Sequence, residues 1–95
     1  MEFLKNKGFT DEEINNIVSK NYDTLDSFSL ISDNVEDVID YLKDYGIKNI
    51  YGLMLDKIDI FYLPVSKLQE IFSHYDKDYI IKSLYDDPYI FDELN

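Results

Sequence analysis

The chain has no cysteine, no arginine, no tryptophan and no alanine. Without Cys, disulfides, thiolate catalysis and Cys-based zinc sites are excluded. Without Arg, it lacks the rigid fork that grips phosphate or guanine through two hydrogen bonds. All nine cations are Lys. A single histidine, His74, assembles neither a catalytic triad nor a histidine zinc site. Near a helix end it suits the helix dipole instead. There is no glycine-rich phosphate loop. Three Gly and two Pro leave few chain breakers, so most segments are free to be helical. Apolar runs last only a handful of residues, far short of the roughly 20 needed to span a bilayer. The stretch from Met1 to Lys7 lacks the apolar core of a signal peptide, which makes the cytoplasm the expected location.

What is present suits one globular domain over residues 1–95. Apolar residues make up 45% and aromatics 16%, including nine Tyr and six Phe, so the chain can build a core. A disordered acidic tail would be poor in both. The net charge is −11. Such a field repels nucleic acid and anionic membranes and attracts basic surfaces.

The spacing predicts an all-α fold. Phe3 and Leu4 fit a short helical turn ended by Gly8. Thr10 and Glu13 have capping-box spacing, with Phe9 and Ile14 placed as a hydrophobic staple. Ile14, Ile17 and Val18 continue a helix over 11–20. A short helix or turn surrounds Leu25 and Phe28, and Ser27 to Asn34 either loops or begins the next helix. Val35, Val38, Ile39 and Leu42 mark an amphipathic helix that stops at Tyr45, with Gly46 and Ile47 as a Schellman-type end. Ile50 to Leu55 suit a short buried helix, weakened by Gly52 by about 1 kcal/mol against Ala. Ile58 to Phe61 alternate like a strand, but no second strand is visible, so a helical turn is expected. Pro64 fits the first position of a helix through Tyr75. Asp76 or Asp78 caps a further helix, and Asp87-Pro88 opens a last turn with Ile90, Phe91 and Leu94.

These stripes repeat. A shift of 30 places Val35 on Val65, Val38 on Leu68, Leu42 on Phe72, Tyr45 on Tyr75, Ile50 on Ile80, Met54 on Leu84 and Phe61 on Phe91. A shift of 36 places Ile14 on Ile50, Val18 on Met54, Tyr22 on Ile58 and Leu25 on Phe61. The expected architecture is about two and a half helical-hairpin units of roughly 30 residues, stacked as a small solenoid-like bundle. The runs Gly8-Phe9-Thr10-Asp11-Glu12-Glu13-Ile14, Tyr22-Asp23-Thr24-Leu25 and Val38 to Ile47 resemble the mTERF (mitochondrial transcription termination factor) repeat. Pro88-Tyr89-Ile90-Phe91 carries that repeat's proline, whereas Tyr22 and Ile58 replace it in the first two copies. The resemblance implies triple-helix repeats in a curved solenoid that binds nucleic acid through a basic concave face. The acidity and the missing Arg oppose that last implication. Gly8-Phe9 also resembles the first loop of ubiquitin-associated three-helix domains.

No catalytic, cofactor-binding or metal-binding set emerges, and no cofactor is expected. Asp76-Lys77-Asp78 begins like an EF-hand loop, but Ile81 holds the position that needs Gly, so calcium is not expected. The informative pattern is acidic. Asp33, Glu36, Asp37, Asp40 and Asp44 recur at three and four residues and line one helix face. Asp76, Asp78, Asp86, Asp87, Asp92 and Glu93 form a second acidic region. One reading is ordinary solvation of an outer face. The other is a row of carboxylates that imitates a phosphate backbone before a basic, nucleic-acid-binding protein. Small acidic inhibitors of phage and mobile elements, including anti-CRISPR proteins, resemble that description as a class. Tyr41, Tyr51, Tyr62 and Tyr79 are either exposed anchors or core-edge residues. The sequence therefore points to a non-enzymatic acidic binding protein whose partner is a basic protein surface. The alternatives are a generic protein–protein adaptor and an mTERF-like nucleic-acid binder.

Overall fold

Thr10 starts a helix for a local reason. Its hydroxyl accepts the Glu13 N–H at 3.1 Å, and the Glu13 carboxylate accepts the Thr10 N–H at 2.9 Å. This closed box opens α2 (Asp11–Lys20), which follows a short α1 (Glu2–Asn6). Between them Gly8 takes φ +99°, where a side chain would be strained. The Gly8 and Phe9 N–H groups return to the carbonyls of Lys5 and Leu4 at 3.0 and 3.1 Å, a Schellman-type end.

A computed structural model describes residues 1–94, with the backbone alone for residues 24–26. The expected match of Leu25 with Phe61 therefore falls outside the described side chains. After a 3-10 turn (Tyr22–Thr24) come α3 (Leu25–Phe28), a second 3-10 turn (Ser29–Ile31) and α4 (Ser32–Tyr45). The polar stretch before α4 is thus helical throughout. Phe28 holds it down: its wholly buried ring lies 5.9 Å from those of both Phe3 and Tyr62. α4 buries Val35, Val38, Ile39 and Leu42 and stops at Gly46 with φ +105°. The Ile47 N–H reaches back to Leu42 at 2.9 Å, completing the predicted Schellman stop.

Asn49 opens α5 (Ile50–Asp56) from a left-handed conformation, and its side-chain oxygen accepts the Gly52 N–H at 3.1 Å. A Cβ at 52 would lie 2.3 Å from the Asn49 amide nitrogen. Gly52 is therefore there to admit the cap, which the sequence pattern did not reveal. Ile58–Tyr62 is a 3-10 turn that buries Ile58, Ile60 and Phe61 and exposes Asp59. Pro64 stands one position earlier than expected. It is the N-cap of α6 (Val65–Phe72), with extended ψ of 152°, and its carbonyl accepts the Lys67 and Leu68 N–H groups. Asp76, rather than Asp78, caps α7 (Lys77–Asp86) by accepting the N–H groups of Asp78 and Tyr79. Asp87 caps a last 3-10 turn (Pro88–Glu93).

The described residues form an all-helical fold without strands. Two helices followed by a 3-10 turn occur three times: α1, α2 and 22–24; α4, α5 and 58–62; α6, α7 and 88–93. α4 lies at the centre, against α1, α5, α6 and the 58–62 turn, while α2 packs on α5. One apolar core runs through all three sets, and no polar or charged residue is buried in it among the described residues. This places the core-facing stripe of α4 inward and its carboxylates outward.

Candidate binding face

The opposite side of α4 carries the five predicted acids. Asp33, Asp37, Asp40 and Asp44 are exposed and Glu36 is half-buried. Asp33 stands in the first turn, where the helix dipole favours a negative charge. The N-cap, Ile31, offers no side-chain acceptor, so Asp33 is the only anion in that turn. Asp44 stands in the last turn, where the dipole opposes it. Each like-charge neighbour at three or four residues costs a further few tenths of a kcal/mol. The stripe is thus mildly destabilising to its own helix.

The five acids are not equivalent. Lys7, just past α1, places its ammonium 2.9 and 3.0 Å from the two oxygens of Asp40. That hydrogen bond raises the Lys7 pKa above its ordinary value, and Glu36 and Asp37 add to the effect. Lys43 donates to the Lys7 carbonyl at 2.7 Å and ties the same corner. Asp40 is therefore spent on holding α1 to α4. Among the described residues Asp33, Glu36, Asp37 and Asp44 make no ion pair. They leave a cluster of three acids toward the start of α4 and one acid at its end.

Much of the second acidic region is engaged. Asp76 and Asp87 serve as caps, Asp86 pairs with Lys82 at 2.9 Å, and Asp92 pairs with Lys57 at 2.7 Å. Asp78 and Glu93 stay exposed. His74 sits exposed beyond α6. Among the described residues no group of three or more His, Cys, Asp or Glu comes together to hold a metal ion. None of their helices is long and apolar enough to cross a membrane.

The two readings of the tyrosines each apply to part of the set. Tyr41, Tyr51 and Tyr62 are half-buried against the core, so they are edge residues. Tyr41 and Tyr45 pack on Phe72, with ring centroids 6.2 and 5.1 Å away. Burial raises both of their phenol pKa values, and Asp76 adds to the rise at Tyr45. Tyr79 does stand exposed, at 49%. Tyr22, Leu30, Tyr85 and Tyr89 are also open, and spacing alone gave no signal for them.

Among the grooves of the surface are three shallow ones. One of 310 Å³ lies between Lys7, Phe9, Lys43 and Tyr51. One of 400 Å³ is lined by Lys48, Asp78, Ile81, Lys82 and Tyr85. The third, of 340 Å³, is bordered by Asp23, Ser27, Ile58, Asp59 and Tyr62. Residues far apart in sequence line each of them, which explains why local spacing did not reveal them. The first has Asn16 donating to the Tyr51 hydroxyl at 3.0 Å behind it. Comparison of the chain with models of known families, with characterised proteins and with solved structures gives no match.

Proposed function

We propose that the protein is a non-enzymatic acidic binding protein that occupies the nucleic-acid-binding surface of a basic partner. The observation that carries this reading is the α4 stripe. Among the described residues it keeps Asp33, Glu36, Asp37 and Asp44 without an ion pair on an outer face, where their mutual repulsion costs the helix. Neighbouring acids one turn apart have Cβ atoms about 5–6 Å from each other, a row of negative charge suited to a partner that reads phosphates with Lys and Arg. In this reading the protein acts as a nucleic-acid mimic, in the manner of phage or mobile-element inhibitors such as anti-CRISPR proteins, and the cytoplasm is its place of action.

We further read the scaffold as a short solenoid-like stack resembling mTERF repeats. The recurring order of two helices and a 3-10 turn supports it. So do cross-links between successive sets: Lys7 to Asp40, Asn16 to Tyr51, Lys20 to Asp56 and Lys57 to Asp92 join residues 33 to 36 apart. That separation lies close to the expected shift of 36 between the first two sets and exceeds the 30 expected between the later two; stacking neighbours is how such units complete a core. The acidic charge sets this scaffold apart from the family's basic, nucleic-acid-gripping members.

The test is affinity capture with the tagged chain from its native host. The expected partner is a basic nucleic-acid-binding protein that is released steeply as salt rises and is displaced by competing DNA or RNA. Replacing Asp33, Asp37 and Asp44 by Asn and Glu36 by Gln, with Asp40 left to hold α1, should abolish capture. A partner retained by that variant refutes the mimic. The second reading, an adaptor, is favoured by the exposure of Tyr22, Leu30, Tyr79, Tyr85 and Tyr89. It requires that changing those residues, and not the acids, releases the partner.

A further inference from the structure

Lys57 shows how this fold holds a cation between two of its 3-10 turns. Its side chain is 11% exposed, and its ammonium lies 3.3 Å from Asp59 and 2.7 Å from Asp92. Asp59 belongs to the turn 58–62 and Asp92 to the turn 88–93. The preceding pair of turns also carries one aspartate each, Asp23 in the turn 22–24 and Asp59 again in the next. They border the 340 Å³ groove, which Ser27, Ile58 and Tyr62 complete. The residue two places before Asp23, matching Lys57 before Asp59, is Asn21. Its amide donates to the Ile17 and Met54 carbonyls at 3.1 and 3.3 Å and brings no charge. Among the described residues Asp23 makes no ion pair.

We propose that this groove receives an arginine side chain from the basic protein partner. The inference deepens the partner reading above and rests on it. A guanidinium between Asp23 and Asp59 makes charge-assisted hydrogen bonds to both. Ile58, 7% exposed, gives the methylene stem an apolar floor. Tyr62 lines the groove as an aromatic wall on which a planar, weakly hydrated cation stacks better than an ammonium does. The Ser27 and Tyr62 hydroxyls, 3.0 Å apart, pair with each other and keep that wall in place. The arginine shares Asp59 with Lys57, which lies 3.3 Å from that carboxylate, and has Asp23 to itself among the described residues.

The test follows backbone amide shifts of the full chain at low ionic strength. The probe is the tripeptide acetyl-Gly-Arg-Gly-amide, with acetyl-Gly-Gln-Gly-amide as the neutral control. The expected result is saturable shifts centred on residues 23, 27, 58, 59 and 62, absent with the control. Asp23→Asn, at an exposed position, should weaken binding about threefold to fivefold, as for loss of an exposed charge pair. Asp23→Lys should abolish it by placing an ammonium opposite Asp59. The variant neutralised at Asp33, Glu36, Asp37 and Asp44 should keep the groove shifts. Shifts confined to α4, or unchanged by Asp23→Lys, overturn the groove while leaving the mimic face standing. Groove shifts that persist when capture by native partner survives neutralisation of α4 support the groove and move recognition away from that face. No saturable shift anywhere overturns the groove outright.

Discussion

Gly52 should respond to substitution in a way that reverses with its neighbour. Taken by helix propensity alone, Gly52→Ala stabilises α5 by about 1 kcal/mol. The structure opposes this. An Ala Cβ would stand 2.3, 2.8 and 3.0 Å from the side-chain nitrogen, carbon and oxygen of Asn49. The Asn49 side chain must then leave the Gly52 N–H and give up its cap, which costs about 1 kcal/mol. The two terms nearly cancel, so Gly52→Ala alone should leave stability unchanged or slightly reduced. In an Asn49→Gly background nothing collides. Glycine also suits the left-handed conformation at 49, where φ is +57°. There the same substitution should stabilise by about 1 kcal/mol, or roughly 4–8 °C in Tm for a domain of this size. Thermal and urea unfolding of the four proteins, followed by far-UV circular dichroism, measures the coupling. Gly52→Ala raising Tm equally in both backgrounds would refute the capping argument.

Two further outcomes concern charge. Asp44→Asn should stabilise the fold by about 0.3–1 kcal/mol, because it removes an anion from the helix end that repels it and relieves its repulsion with Asp40. Urea unfolding at low salt reads this, and the gain should shrink at high salt; a loss of stability would show that Asp44 has a structural partner. The second outcome is alkaline unfolding. Asp92 raises the folded-state pKa of Lys57 above its ordinary 10.5, while burial raises Tyr41 and Tyr45 above 10.0. Below about pH 10 both folded and unfolded chains keep these protons, and the contribution is fully present. Above it the unfolded chain loses them first, so stability should fall as pH rises through the folded values. A Tm that stays flat through pH 11 would contradict the assignment.

These electrostatics also separate two uses of acid in one chain. Lys5, Lys7, Lys20, Lys57 and Lys82 all have pKa values raised through hydrogen bonds to aspartates. Of these, Lys5, Lys7, Lys20 and Lys57 use partners on other elements and so pin helices together, Lys82 alone pairing within its own helix. Exposed pairs of this kind contribute little singly, and salt screens them. The carboxylates left over, above all those of α4, are the ones available to a partner. Net charge therefore overstates the open acid: Asp40 pairs with Lys7, while Asp33, Glu36, Asp37 and Asp44 make no ion pair among the described residues.

Helix ends were legible because their causes lie within a few residues. The Thr10–Glu13 box and the Gly46–Ile47 stop depend on spacing that any reader of the chain can see. The all-helical class followed from periodicity, and the excess of carboxylates from composition. Asn49 was missed because a left-handed cap looks like ordinary polar sequence until the chain is folded. Pro64 was off by one position because a proline suits either side of a helix start. Only the tertiary structure decided which acids stay open, which tyrosines turn to the core, and that Asp23 and Asp59 line one groove. The physical reason is distance along the chain. Asp40 finds Lys7 from 33 residues away, and Tyr41 is covered by Phe72 from the next helix pair. No local spacing encodes such contacts; they arise when the apolar stripes dock and carry the polar faces into register.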